Sequence, residues 1–128
     1  MTKILTAKRR DDLEAINDLI HDSFFEVDDI AFDSQASILS FKFDLPTLPS
    51  GLGLKEFIYS SKTSPGVECF LKIQNVEKYS IDDTEKVGRY DFNIVEFDAP
   101  ARVVCIRTNI PIGIRILVSG LEISLEVT

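Results

Sequence analysis

The chain has 128 residues, 45% hydrophobic and 27% charged, the composition of one ordinary globular domain, which excludes wholesale disorder. Its 21 Asp and Glu against 14 Lys and Arg leave a formal charge of −7, a balance that repels phosphate backbones and anionic bilayers and so argues against nucleic-acid and membrane partners. One histidine and two cysteines are too few for a multi-histidine metal centre, a structural zinc site or a disulfide scaffold.

Along the chain, Met1 to Thr6 has no apolar core of signal-peptide length before Lys8-Arg9-Arg10. No run approaches the ~20 apolar residues of a membrane helix, and a cytoplasmic protein is expected. Leu13, Ile16, Leu19 and Ile20 recur at spacings of three and four and predict one amphipathic helix. Asp11 is its expected N-cap, with Glu14 as capping-box partner, and the pattern ends at His21-Asp22-Ser23. The period then changes to two. Phe25 and Val27 lie on one parity, Ile30 and Phe32 on the other, and a β-bulge at Asp28-Asp29 would realign them. A turn over Asp33-Ser34-Gln35-Ala36 leads into the alternation of Leu39, Phe41 and Phe43, so residues 24–44 read as a hairpin.

Leu45 to Gly53 reads as loop, residues 55–60 as a short strand, and Ser61 to Gly66 as a turn. Val67, Cys69, Leu71 and Ile73 alternate as a further strand. Lys78 to Val87 is polar and irregular and is expected to be loop. A strand begins at Tyr90, Phe92 and Ile94, slips phase before Phe97, and ends in a turn at Asp98-Ala99-Pro100. Three strands follow, over 101–108, 112–118 and 121–127, the last two joined by a two-residue hairpin turn at Ser119-Gly120. The expected fold is therefore mainly β (α+β). One N-terminal helix packs on an antiparallel β-sandwich or strongly bent sheet of about seven strands, in a single domain over 1–128.

Chemistry is scarce. His21 suits a cation at a helix C-terminus, and a metal-dependent phosphohydrolase reading of His21-Asp22 fails for want of further histidines. Cys69 and Cys105 sit in apolar runs and read as free, buried small hydrophobes, with a single disulfide between them left open. Gly51-Leu52-Gly53-Leu54-Lys55-Glu56 starts like a phosphate loop but lacks the later glycine and the Gly-Lys-Ser/Thr of a P-loop. The acids Asp28, Asp29 and Asp33, and Asp82, Asp83 and Glu85, have neither the ligand spacing nor the glycine of a calcium loop. No Gly-x-Ser-x-Gly elbow occurs. No catalytic, metal or cofactor residue is assigned, and no cofactor is expected.

The order of helix, His21-Asp22-Ser23, Val27, Ile30, Phe32-Asp33 and the alternating Leu39-Ser40-Phe41-Lys42-Phe43 resembles the opening of small bacterial helix-plus-β domains, some of them immunity proteins of polymorphic toxin systems. The resemblance covers residues 13–43 and implies a small bacterial cytosolic binding domain, without carrying over any functional residue. Three functions are thus weighed. The first is a protein-binding module, of inhibitor or immunity type, that sets its acidic surface against a basic protein. The second is a small-molecule binder or enzyme with an inter-sheet pocket, its polar handles Tyr59, Tyr79 and Tyr90. The third is a homo-oligomer paired through strand 121–127 as an exposed edge. The first is favoured.

Overall fold

In the computed structural model, the structure describes residues 2–45, 67–84, 86–110 and 112–127. The loop, strand and turn expected between Pro46 and Gly66, with Tyr59 and the Gly51–Glu56 segment, lie outside the described residues, as does Glu85.

The elements in chain order are β1 (Thr2–Ala7), a 3-10 turn over Arg10–Asp12, α1 (Leu13–Ile20), β2 (Phe24–Glu26), a second 3-10 turn over Val27–Asp29, β3 (Ala31–Asp33), β4 (Ile38–Leu45), β5 (Val67–Ile73), β6 (Val76–Asp82), β7 (Arg89–Asp98), β8 (Val103–Thr108), β9 (Gly113–Val118) and β10 (Ile123–Val127). All pairings are antiparallel and form one path, β1-β10-β5-β4-β2-β7-β8-β9-β6, with β3 beside β4. The expected mainly-β architecture with one short helix is what forms, as one large sheet that does not close, with ten strands among the described residues rather than about seven.

Two links bend this sheet. β5 runs into β6 through Gln74 and Asn75 alone, and Asn75 takes a left-handed φ of 58° to make the corner. The β9–β10 link runs beside it, with Ser119 N–H donating to Asn75 O at 2.9 Å, Gln74 N–H to Glu122 O at 2.9 Å, and the Asn75 side-chain amide to Gly120 O at 3.2 Å. Ser119-Gly120 is therefore not the hairpin turn that its residue types suggest. The chain crosses there from the β8–β9–β6 section to the β1–β10–β5 section, and β9 and β10 do not pair.

The same crossing overturns the expectation of an edge at 121–127. β10 has β1 on one side (Lys3 opposite Glu126) and β5 on the other (Leu125 opposite Leu71). Every residue of β10 is buried, including the polar Ser124 and Glu126. Their polar atoms are matched: Ser124 donates to Glu126 at 3.1 Å, and Lys72 Nζ lies 3.4 Å from Glu126.

β1 and β6 were not predicted as strands. Among the described residues both flank the sheet with one partner each, and β6 buries only Val76 fully, so neither carries an apolar alternation. Between β2 and β3 the expected one-residue bulge is a three-residue 3-10 turn, which flips parity in the same sense. Phe25 pairs with Phe43 and Phe32 with Leu39, as a hairpin requires. The phase slip in β7 is a register shift between Phe92 and Ile94.

The buried apolar residues make one cluster. Its centre is aromatic: the ring of Phe25 lies 4.6 Å from that of Phe92 and 5.5 Å, edge-on, from that of Phe41, with Phe43 edge-on to Phe92 at 5.2 Å. α1, with eight residues, is too short to stand alone and is held by Leu13, Ile16 and Ile20, which bury against this cluster. Each such side chain contributes about 1.5–3 kcal/mol on leaving water.

Candidate functional site

α1 ends abruptly, and the way it ends builds one wall of a surface groove. His21 caps it, its N–H bonded to Asn17 O, and Asp22 then takes a left-handed φ of 67° that turns the chain back. β7 holds this reversal: Asp22 N–H donates to Phe92 O and Phe92 N–H to Ser23 O, both at 2.9 Å. β2 follows as a three-residue bridge between β4 and β7, with Phe25 inward and Phe24 and Glu26 outward.

Beside this bridge lies a groove of about 680 Å³. Its floor and walls come from the end of α1 (Leu19), the reversal (His21, Asp22, Ser23), β2, Asp29, the last residues of β4 (Lys42 to Leu45) and Arg89 of β7. Phe24 is half exposed, at 50%, and one face of its ring carries the Arg89 guanidinium 4.8 Å from the centroid. Four carboxylates line the groove against two strong bases. Lys42 has Glu68 as a counter-ion at 3.9 Å, and Asp22 has the His21 imidazole at 3.2 Å. Glu26, Asp29 and Asp44 enter no ion pair among the described residues.

The groove opens onto a wider charge pattern. From Asp11 to Phe41 the chain has no Lys or Arg and nine carboxylates: Asp11, Asp12, Glu14, Asp18, Asp22, Glu26, Asp28, Asp29 and Asp33. The twelve other acids are outnumbered by the fourteen bases, so the net negative charge belongs entirely to α1, β2, β3 and their turns. Eight of the nine are exposed. Asp12 is the exception, because its carboxylate folds back on the chain to accept the backbone N–H groups of Lys8 and Arg9, both at 3.1 Å. Those bonds hold its pKa below the usual carboxylate value. Asp12 rather than Asp11 stands at the N-cap position of α1, but it makes no side-chain capping bond to the helix, and its carboxylate serves the preceding 3-10 turn instead. A second, shallower hollow of about 410 Å³ along the helix is lined by Asp11, Asp12, Glu14 and Asp18.

The other residues singled out from the sequence do not converge. Asp28, Asp29 and Asp33 are exposed, and Asp33 accepts from Gln35 and Ala36 N–H to shape the β3–β4 turn. Asp83 accepts the hydroxyl of buried Tyr90, whose phenol is pushed up by burial and by this carboxylate. Tyr79 is exposed and packs on Phe32 at 5.1 Å, well apart from Tyr90 in role. Among the described residues no group of three or more His, Cys, Asp or Glu is placed to hold a metal ion, and no helix is long and apolar enough to cross a membrane. Both cysteines are free. Cys69 is buried as expected, but Cys105 is half-buried, on the opposite parity from buried Val104 and Ile106. Phe24, Glu26, Lys42, Asp44 and Arg89 had not been singled out; the missing bases between Arg10 and Lys42 are the sequence signal that points to this region.

Comparison with protein-family models, curated proteins and solved structures gives no significant match.

Proposed function

We propose that the protein is a binding module for a basic protein partner, acting as an inhibitor of immunity type, and that α1, β2 and β3 present the binding surface. The observation that supports this reading is the segregation of charge: nine carboxylates and no Lys or Arg between Asp11 and Phe41, eight of them facing solvent. Like charges held this close repel one another, and an arrangement of that kind is relieved by a cationic partner. Complementary fields of this sort accelerate encounter and reject wrong partners more than they add affinity, which suits an inhibitor that must find its target quickly.

The test is affinity capture from the source cells at low and high salt, comparing the native chain with a variant carrying Asp11→Asn, Glu14→Gln, Asp18→Asn, Glu26→Gln and Asp29→Asn. One dominant basic protein, held at low salt, released at high salt and lost by the variant, is the expected result. Capture of nothing, or equal capture by both chains, would reject the reading.

A further inference from the structure

We infer that the groove beside β2 is the docking point within this acidic surface, and that it receives an extended cationic segment carrying an apolar side chain next to its Lys or Arg. The inference rests on the proposed basic partner and adds where and how it binds. Charge complementarity chooses the occupant. Glu26, Asp29 and Asp44 face the groove without a counter-ion among the described residues, while both of its strong bases are engaged, Lys42 with Glu68 and Arg89 on the Phe24 ring. A partner's Lys or Arg meets three carboxylates there that have no counter-ion among the described residues. The helix hollow offers carboxylates too, but with only Leu5 and Ala15 as apolar lining.

The groove differs in having an aromatic anchor. Phe24 is half exposed, whereas Phe25, Phe41, Phe43 and Phe92 on β2, β4 and β7 are buried and Phe97 of β7 is half-buried. Its outward position is fixed by the strand: β2 pairs on both sides, with Phe24 opposite Asp91, so the ring cannot turn inward without exposing Phe25. A solvent-facing aromatic on a rigid element, rimmed by charge, is the arrangement that concentrates binding energy at interfaces. The aliphatic stem of a Lys or Arg, or a Leu beside it, would cover the ring while the cation reaches the carboxylates.

Two fluorescein-labelled peptides test this by anisotropy at low salt: one alternating Lys and Leu, the other oligo-lysine of equal charge. The Lys-Leu peptide should bind more tightly. Phe24→Ser, and separately Glu26→Gln with Asp29→Asn, should each weaken it about tenfold, whereas Glu14→Gln with Asp18→Asn on the helix should change it less than about threefold. Phe24 is exposed, so a retained melting temperature shows that the variant folds, and the charge pair tests the groove without touching packing. Equal weakening by groove and helix variants would overturn the groove while leaving the acidic surface as the binding face. Failure of the native chain to bind either peptide would overturn the cationic-partner reading itself. Concentration-dependent self-association that Phe24→Ser abolishes would place a second copy in the groove and overturn the inference.

Discussion

The outer edge of β7 is paired with β2 only as far as Asp91, and the side-chain amide of Asn17 supplies bonds that a strand would otherwise make further along. Val95 N–H donates to Asn17 Oδ1 at 2.7 Å, and Asn17 Nδ2 donates to Val95 O at 3.0 Å, so one side chain satisfies both groups of one peptide position and ties α1 to the sheet. Asn17→Ala leaves both groups unmatched in a part-buried setting. A loss of about 2–3 kcal/mol in urea unfolding is expected; a loss below about 0.5 kcal/mol would mean that water replaces the amide fully. Cys69 makes a different residue-scale prediction. Burial, reinforced by Asp44, raises its thiol from an ordinary 9.0 to about 12. The folded chain then keeps a proton that the unfolded chain loses, so stability is whole below pH 9 and falls as pH rises toward 12, by up to about 1.4 kcal/mol per unit. Cys69→Ala should flatten that alkaline slope. A thiol reagent near neutral pH should modify half-buried Cys105 and spare Cys69 until the chain unfolds.

β2 is the element on which the architecture turns. Three residues join β4 to β7, and its one inward side chain, Phe25, touches rings from both neighbours. Phe25→Ala should cost about 3–5 kcal/mol, and hydrogen exchange should report the loss first at β2 and at the Asp22–Phe92 and Ser23–Phe92 bonds rather than evenly over the sheet. Uniform loss of protection would show that β2 is an ordinary part of the core. The elements legible in the sequence were those with one face in the core: α1 from Leu13, Ile16 and Ile20, β4 from Leu39, Phe41 and Phe43, and β5 from Val67 to Ile73. β6 was read as loop because Glu77, Lys78, Tyr79 and Ser80 are all exposed at a flank of the sheet, which removes the alternation that marks a strand. Strand pairing was the harder quantity. Ser119-Gly120 has the residues of a tight turn, yet its partner, Asn75, lies some forty-five residues away, and no local pattern encodes it. The groove was hidden for the same reason, since Asp22, Asp44 and Arg89 come together only once β2 has paired on both sides.

Across the whole molecule, charge and shape are divided unevenly. The acidic segment carries repulsion along α1, β2, β3 and their turns, and it has few partners of its own: among the described residues, its carboxylates meet only the Arg9 guanidinium and the His21 imidazole. Raising NaCl from ~0.01 M to ~1 M shortens the screening length from ~30 Å to ~3 Å, and the melting temperature should rise accordingly. The variant with five neutralised carboxylates should start higher and gain less from salt; equal gains would place the repulsion elsewhere. The interior position of β10 bears on how the chain is made. β10 lies between β1 and β5, so among the described strands β1 has no partner until residues 123–127 are made. Vectorial synthesis therefore leaves β1 and the near edge of β5 in waiting while β6 to β9 are made, and this side of the sheet closes only when β10 follows. A force-sensing arrest peptide placed behind successive truncations should register little pulling until that last strand clears the tunnel, whereas a gradual rise would mean that the sheet assembles piecemeal.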